Sequence, residues 1–335
     1  MGATRLSSRH LSPFRALQGG AAIIGVLVVL ALCTMLVSGL FAREYITIRS
    51  VENRASLSQI RWMERAVLDW VQVALRFDAM NDARATKISD ECTEPWTVFV
   101  DRETQLDETT TGGIALSTPE RPAIISGQVK DAQARFNLNN LIDASKDPII
   151  EKSAIQAAAF TRLLTNLQLP VGLADTLADY LIQTKARTVG DKTVPASKPQ
   201  LLFIEDLIGL PGVTQEQLRK LEKFVIFLPT KLQTTVNVNF AEPEVLAAVI
   251  DGLSMGDARR VSQASQCRTP IHQKDKISAA FGGSNTLNLN LVDVKTDFFL
   301  VDGNVRFDRM EVKTEALLKR DRSGFKVEVV WQQRK

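Results

Sequence analysis

The chain holds two histidines, His10 and His272, and three cysteines, Cys33, Cys92 and Cys267. Zinc sites and Ser- or Cys-based nucleophilic catalysis both need imidazole beside other ligands or a nucleophile. His10 lies in the N-terminal leader described below, so the body of the chain has only His272, which argues against both. Asp175 and Asp179 are spaced i, i+4, as a carboxylate pair on one helix face would be, but ordinary amphipathic helix surface has the same spacing. Asn137, Asn139 and Asn140 read as side chains that satisfy turn backbone where a strand hands over to a helix. No phosphate loop or nucleophile–base set stands out, and no enzymatic activity is expected. Cys92 and Cys267 are candidates for a disulfide if the body is exported to an oxidising compartment. Cys33 lies in an apolar run and reads as a packing residue.

The element that positions everything else is that apolar run. A leader with only positive charge (Arg5, Arg9, Arg15) ends in Gly19-Gly20 and leads into 22 uncharged residues, Ala21 to Ala42. As a helix this run is roughly 33 Å long, against a hydrocarbon core of about 30 Å. It is too long for a signal peptide, and the nearest small-x-small site lies within it. A plain signal anchor is one reading. The other is a type IV prepilin, in which cleavage after Gly20 leaves a helix starting at Ala21. Basic residues before the run place the N-terminus in the cytoplasm.

No Gly or Pro occurs between Leu40 and Glu94, and Ile48, Val51, Ala55, Trp62, Ala66, Trp70, Val73 and Phe77 recur at helical spacing. One helix is therefore expected from Ala21 to about Phe77, with that stripe as its core face. Strands are expected at Trp96–Val100, Ala123–Val129, Asp297–Val301, Val305–Val312 and Phe325–Val330, the last three forming a meander. The stretch between the two groups reads as helical. One helix is expected from an Asp147-Pro148 start to Leu167. Another follows a Thr214/Gln217 capping box and runs to Phe227, and two more are expected at Glu242–Asp251 and Ser254–Gln266. The formal charge is +3, and without the leader's three arginines it is zero, which argues against non-specific nucleic-acid binding.

Gly20-Ala21-Ala-Ile-Ile-Gly25, Gly127-Gln-Val-Lys-Asp131, Ala134-Arg-Phe-Asn-Leu-Asn-Asn-Leu141 and Val236-Asn-Val-Asn-Phe-Ala241, in this order, resemble the type II secretion minor pseudopilin K family. The resemblance implies an α+β fold: a type IV pilin-like long helix on an antiparallel sheet, with a large inserted α-helical domain. The divisions expected are a leader at 1–20, a transmembrane helix half at 21–42, a first pilin part at 43–148, the insert at 149–291 and C-terminal strands at 292–335. It also implies processing at Gly20 and Ala21 by a prepilin peptidase, with methylation of the new N-terminus, and a single-pass inner-membrane protein with a periplasmic body. The role implied is initiation and capping of the pseudopilus tip, aiding export of folded proteins across the outer membrane. Its implied partners are minor pseudopilins I and J and the major pseudopilin.

Several positions refine that reading. Gly25, the fifth residue after the cleavage site, stands where most pilins carry Glu. Trp62 and Val73 are candidates for helix contacts with partners. Relatives tend to hold calcium in an acid-rich loop after the segment Leu177–Leu181, but here Ile182–Lys192 has one acid, Asp191, among three cations. Calcium wants six to eight oxygens, so no cofactor and no metal site are expected; Asp179, Asp191 and Glu205 are the weak candidates. Phe240 takes the place of a Thr common in the family motif. Leu207–Val213 resembles the turn of helix-hairpin-helix modules, so the alternative function is a membrane-anchored, competence-type DNA-binding protein. Its acidic and basic neighbours balance, and no nucleic-acid partner is expected.

Overall fold

The computed structural model describes residues 18–85, 89–98, 103–107, 109–111, 116–145, 149–189, 192–265, 268–281 and 288–335. They fall into two compact units, residues 1–59 and 60–335. Helix α1 (Gln18–Arg84) spans 67 residues: it begins before Ala21 and runs on past Phe77, where no Gly or Pro stops it. In the first unit its apolar side chains from Ile23 to Phe41 are exposed, and its most apolar 18-residue window has a mean hydropathy of 2.7. That suits a lipid environment.

The second unit is built on a five-stranded antiparallel sheet. Its strands are β1 (Thr104–Gln105), β2 (Ala123–Asp131), β3 (Phe298–Phe307), β4 (Met310–Asp321) and β5 (Lys326–Arg334), in spatial order β1-β2-β3-β4-β5. Side chains alternate between faces along each strand. Phe299, Val301, Ala316, Leu318 and Val327 pack on Leu68, Val71 and Leu75 of α1, while Phe298, Leu300 and Leu317 pack on Ile226 and Leu228 of the helical part. The central strands are thus buried on both faces at one end. Gly127 lies opposite Gly303, and a Cβ on Gly127 would overlap the Asp302 carbonyl oxygen.

Two expected strands are corrected. Residues 305–312 are not one strand: Phe307 pairs with Met310 across a tight turn, with Asp308 left-handed at φ 55°. Pro95–Val98 forms a 3-10 turn rather than a strand, and Phe99 and Val100 lie outside the described residues.

The helical part carries α2 (Ala154–Asn166), α3 (Leu173–Gln183), α4 (Gln215–Leu221), α5 (Pro243–Val249), α6 (Met255–Ser265) and α7 (Ile277–Ala280). The Thr214/Gln217 capping box forms, but α4 stops at Leu221 and Val225-Ile226 pair instead, in parallel, with Phe136-Asn137. Helix α2 starts at Ala154 with Ser153 before it, because Glu151-Lys152 pair with Ile142-Asp143; Asp147 and Pro148 lie outside the described residues. The apolar core of this part draws on residues from Phe136 to Val294.

Candidate functional site

Helix α1 presents two faces in the second unit. Ile60, Met63, Leu68, Val71, Leu75 and Ala79 are buried. Trp62 is 70% exposed, Trp70 52%, Val73 62% and Phe77 54%. The stripe expected to be the core face therefore points outward, and a second apolar stripe, offset around the helix, takes the sheet. Both repeat at helical spacing, so periodicity alone does not choose between them. Packing on the inner side is fixed by a buried charge: Glu64 accepts from Thr314 Oγ1 at 2.5 Å and from Arg334 Nη2 at 2.5 Å. Trp62 and Val73, the two candidates for partner contacts, both lie on the exposed face. Ile48 and Val51, earlier on α1, are exposed as well.

A second constellation lies where α1, the sheet and the helical insert meet. Arg320, at the end of β4, is fully buried and donates to Asp78 Oδ2 at 2.5 Å, to Asp90 Oδ1 and to Thr296 O at 2.8 Å. Its guanidinium also stacks on Phe299, 4.6 Å from the ring centroid. Arg322 reaches Asp82 Oδ2 at 2.7 Å, Asp297 Oδ1 at 3.3 Å and Asp90 Oδ2. Asp131, at the end of β2, accepts from Gln133 N, Thr296 Oγ1 and Asn237 Nδ2. Glu94 accepts from the Trp96 indole at 2.5 Å. Burial pushes Asp78 up to about 6, Asp131 up to about 7 and, with Asp90 and Asp78 beside it, Glu94 up to about 9.

The asparagine-rich segments stitch this junction together. Asn137 Oδ1 accepts from Asn139 N and Leu228 N, and Asn140 donates to Thr234 O. These are the backbone-satisfying roles expected of Asn137 and Asn140. Asn139 also donates to Leu228 O. Asn237 and Asn239 both donate to Asp90 O, at 3.3 and 3.1 Å. Phe240 fills the space beside Trp96 (centroids 5.4 Å apart), which meets Phe299 edge-on from the other side at 5.0 Å. One indole therefore joins insert, sheet and the segment after α1.

The remaining expected sites are separate. Gly20 and Ala21 fall in the first turn of α1. A Cβ on Gly25 would meet nothing within 4 Å. Asp179 and Asp175 share Lys152 at 3.0 and 3.3 Å, both well exposed. Glu205 opens a 3-10 turn, Ile204–Gly209, and Asp191 lies outside the described residues. The loop after α3 pairs Arg187–Val189 with Lys192–Val194. The carboxylates that converge among the described residues are instead Asp78, Asp90 and Glu94, with oxygens within 4.8 Å of one another. Asp78 and Asp90 each accept from a guanidinium. Cys92 is disulfide-bonded and Cys33 is free; Cys267 lies outside the described residues. Leu207–Val213 turns through Gly212 at φ 83° into α4, joining two packed segments of the insert core.

Two sequence models of one family, described as type II secretion system protein K, match residues 134–230 and 236–268, the stretches that hold the asparagine turns. Type II secretion system protein K of Pseudomonas aeruginosa is 27% identical over 323 residues, 90% of this chain and 88% of that one. The protein of the same name from Aeromonas hydrophila is 24% identical over 267 residues, 73% and 75% of the two chains. The fold is similar to a chain in the crystal structure of the GspK-GspI-GspJ complex from the enterotoxigenic Escherichia coli type 2 secretion system. That likeness has a TM-score of 0.57 at 18% identity and covers 85% of this chain and 99% of that one. Long helix, antiparallel sheet, helical insert and asparagine junction thus coincide with these matches: the chain is similar to type II secretion system protein K along most of its length.

Proposed function

We propose that this chain is the minor pseudopilin that starts and caps the type II secretion pseudopilus, docked on its I and J counterparts through the outer face of α1. The observation that carries this is the exposed row Trp62, Ala66, Trp70, Val73 and Phe77. Large apolar side chains in one contiguous row on a soluble body mark an interaction site, and their helical spacing suits another helix laid alongside. The solved relative is part of an assembly with GspI and GspJ. In this reading the apolar half of α1 anchors the chain once in the inner membrane, with the body on the periplasmic side. A prepilin peptidase cleaves after Gly20, and Ala21 is methylated.

Gly25 fits the tip role. A carboxylate at this depth is costly unless paired, and in other pilins it would meet the terminal amine of a neighbouring subunit on docking. A subunit with no earlier neighbour has no such amine to meet, and this chain carries no acid before Glu44. The chain acts by assembly and performs no bond chemistry. Co-expression with its I and J counterparts tests the docking: co-elution of the three full-length chains in detergent supports it, and persistent monomers sink it. Mass spectrometry of membrane-extracted protein tests the processing, which requires an N-terminus at Ala21. Quantitative labelling of sheared fibres tests the tip assignment, which fails if the chain is abundant along the shaft.

A further inference from the structure

The junction holds more negative than positive charge. Helix α1 contributes Asp78 and Asp82, the segment after it Asp90 and Glu94, and the end of β2 Asp131. Facing them are Arg320 from β4 and Arg322 from the turn after it. Asp297, half exposed before β3, adds a further carboxylate against Arg322. The insert presents Asn237 and Asn239 to Asp90, and its His272 faces Glu91, on the same segment, at 2.8 Å.

The partners are unevenly shared. Arg320 and Arg322 engage Asp78, Asp82 and Asp90, and three donors hold Asp131. Among the described residues Glu94 has only the Trp96 indole, on Oε2, while its carboxyl lies in a trio with Asp78 and Asp90 whose oxygens are within 4.8 Å. Three carboxylates this close repel one another when ionised. Among the described residues, guanidinium touches Asp78 and Asp90 but not Glu94.

We propose that Glu94 carries a proton in the folded protein, and that this proton fastens the segment 89–98 to α1 and the sheet, making the junction an acid-favoured clamp that loosens as its surroundings turn alkaline. Protonated Glu94 has a hydrogen to offer to the neighbouring carboxylates. Ionised, it adds a third negative charge to the trio and pushes the segment outward, with Trp96 and its contacts to Phe240 and Phe299.

The sign follows from linkage. Burial, then Asp90 and Asp78, raise the Glu94 carboxyl from its ordinary 4.5 to about 9. The folded state therefore binds the proton more tightly than the unfolded chain. The resulting stabilisation is complete below about 4.5 and is lost as the pH climbs toward 9. Asp78 and Asp131, raised by the same burial, slope in the same direction.

The test is thermal unfolding of the full-length protein in detergent micelles at pH 5.5 and 8.5, in EDTA, for the wild type, Glu94→Gln and Asp78→Asn. The wild type is expected to lose about 4 °C or more at the higher pH. Its amides at 89–98 should exchange at least tenfold faster there, after correction for intrinsic rates. Glu94→Gln, which stays neutral, should halve the fall and abolish the change in exchange. Asp78→Asn relieves the trio from the other side and should also shrink the fall. A melting temperature that is flat or rises with pH overturns the proposal, as does Glu94→Gln destabilising equally at both values. So does calcium restoring the wild type at pH 8.5 but not Glu94→Gln, because a cation and not a proton would then fill the trio.

Discussion

Trp62→Ala separates docking from folding. A Trp side chain buries up to about 250 Å² when fully covered, and Trp62 is 70% exposed in the isolated chain. Roughly 150 Å² is therefore free for a partner. At about 25 cal/mol per Å² this is at most about 4 kcal/mol. Incomplete coverage and ordering costs on binding reduce it, so a loss of about 2 kcal/mol is expected, close to 30-fold in Kd. The fold should not notice, since the side chain takes little part in the core: a change in Tm below about 2 °C is expected. Leu75→Ala is the counterpart on the opposite face, where the side chain is fully buried. It should cost about 2–5 kcal/mol of stability and leave the docking contacts themselves in place. The assay is titration of full-length variants, in detergent, with the preformed pair of I and J counterparts, beside melting curves of the free chains. If Trp62→Ala binds as the wild type does, or unfolds as readily as Leu75→Ala, the assignment of faces is wrong.

Arg320→Met leaves Asp78 without its guanidinium partner and Asp90 with that of Arg322 alone, and should cost about 3–5 kcal/mol by denaturant unfolding; adding Asp78→Asn should recover part of it, and additive losses would refute the pairing. Gly127→Ala forces a methyl group into the Asp302 carbonyl, where backbone cannot give way. A loss of about 3 kcal/mol is expected, and a neutral effect in thermal unfolding would show that β2 and β3 are not so close. Millimolar calcium should leave the melting temperature of the wild type unchanged at pH 7, because the loop from Ile182 to Lys192 gathers no carboxylate cage and a ligand stabilises only the state it binds. A rise of several degrees would reveal ligands elsewhere.

Pattern alone reached the long helix and the C-terminal meander, because both rest on local periodicity. It failed where two answers share one period. Trp62, Trp70, Val73 and Phe77 make as regular a stripe as Ile60, Met63, Val71 and Leu75, and only the sheet decides between them. The turn at Asp308-Arg309 has neither Gly nor Pro to announce it, so two strands read as one. Trp96 looked like a strand residue, yet it is drawn into the space between Phe240 and Phe299 and its backbone follows. The junction was out of reach for a different reason: Arg320 meets Asp78 across 242 positions of sequence, and nothing in the neighbourhood of either residue names the other. The asparagine turns were legible as turns, but not as the seam between insert and sheet.

The connection between β2 and β3 has a kinetic consequence. Lys130 and Asp302 are neighbours on adjacent strands but stand 172 residues apart in the chain. Closing so long a loop costs entropy before the strand pair returns anything, and contacts of this separation slow folding. The insert, whose core draws on its own residues, can shorten that loop by folding first, bringing Phe136 and Val294 into one body. The hairpins β3–β4 and β4–β5 need only local turns. The central strand pair β2–β3 would then zip up last, and until then the facing edges of β2 and β3 stay unpaired. A chain in this state presents unpaired strand edges at the centre of its sheet, so that interval is when it is most prone to aggregate.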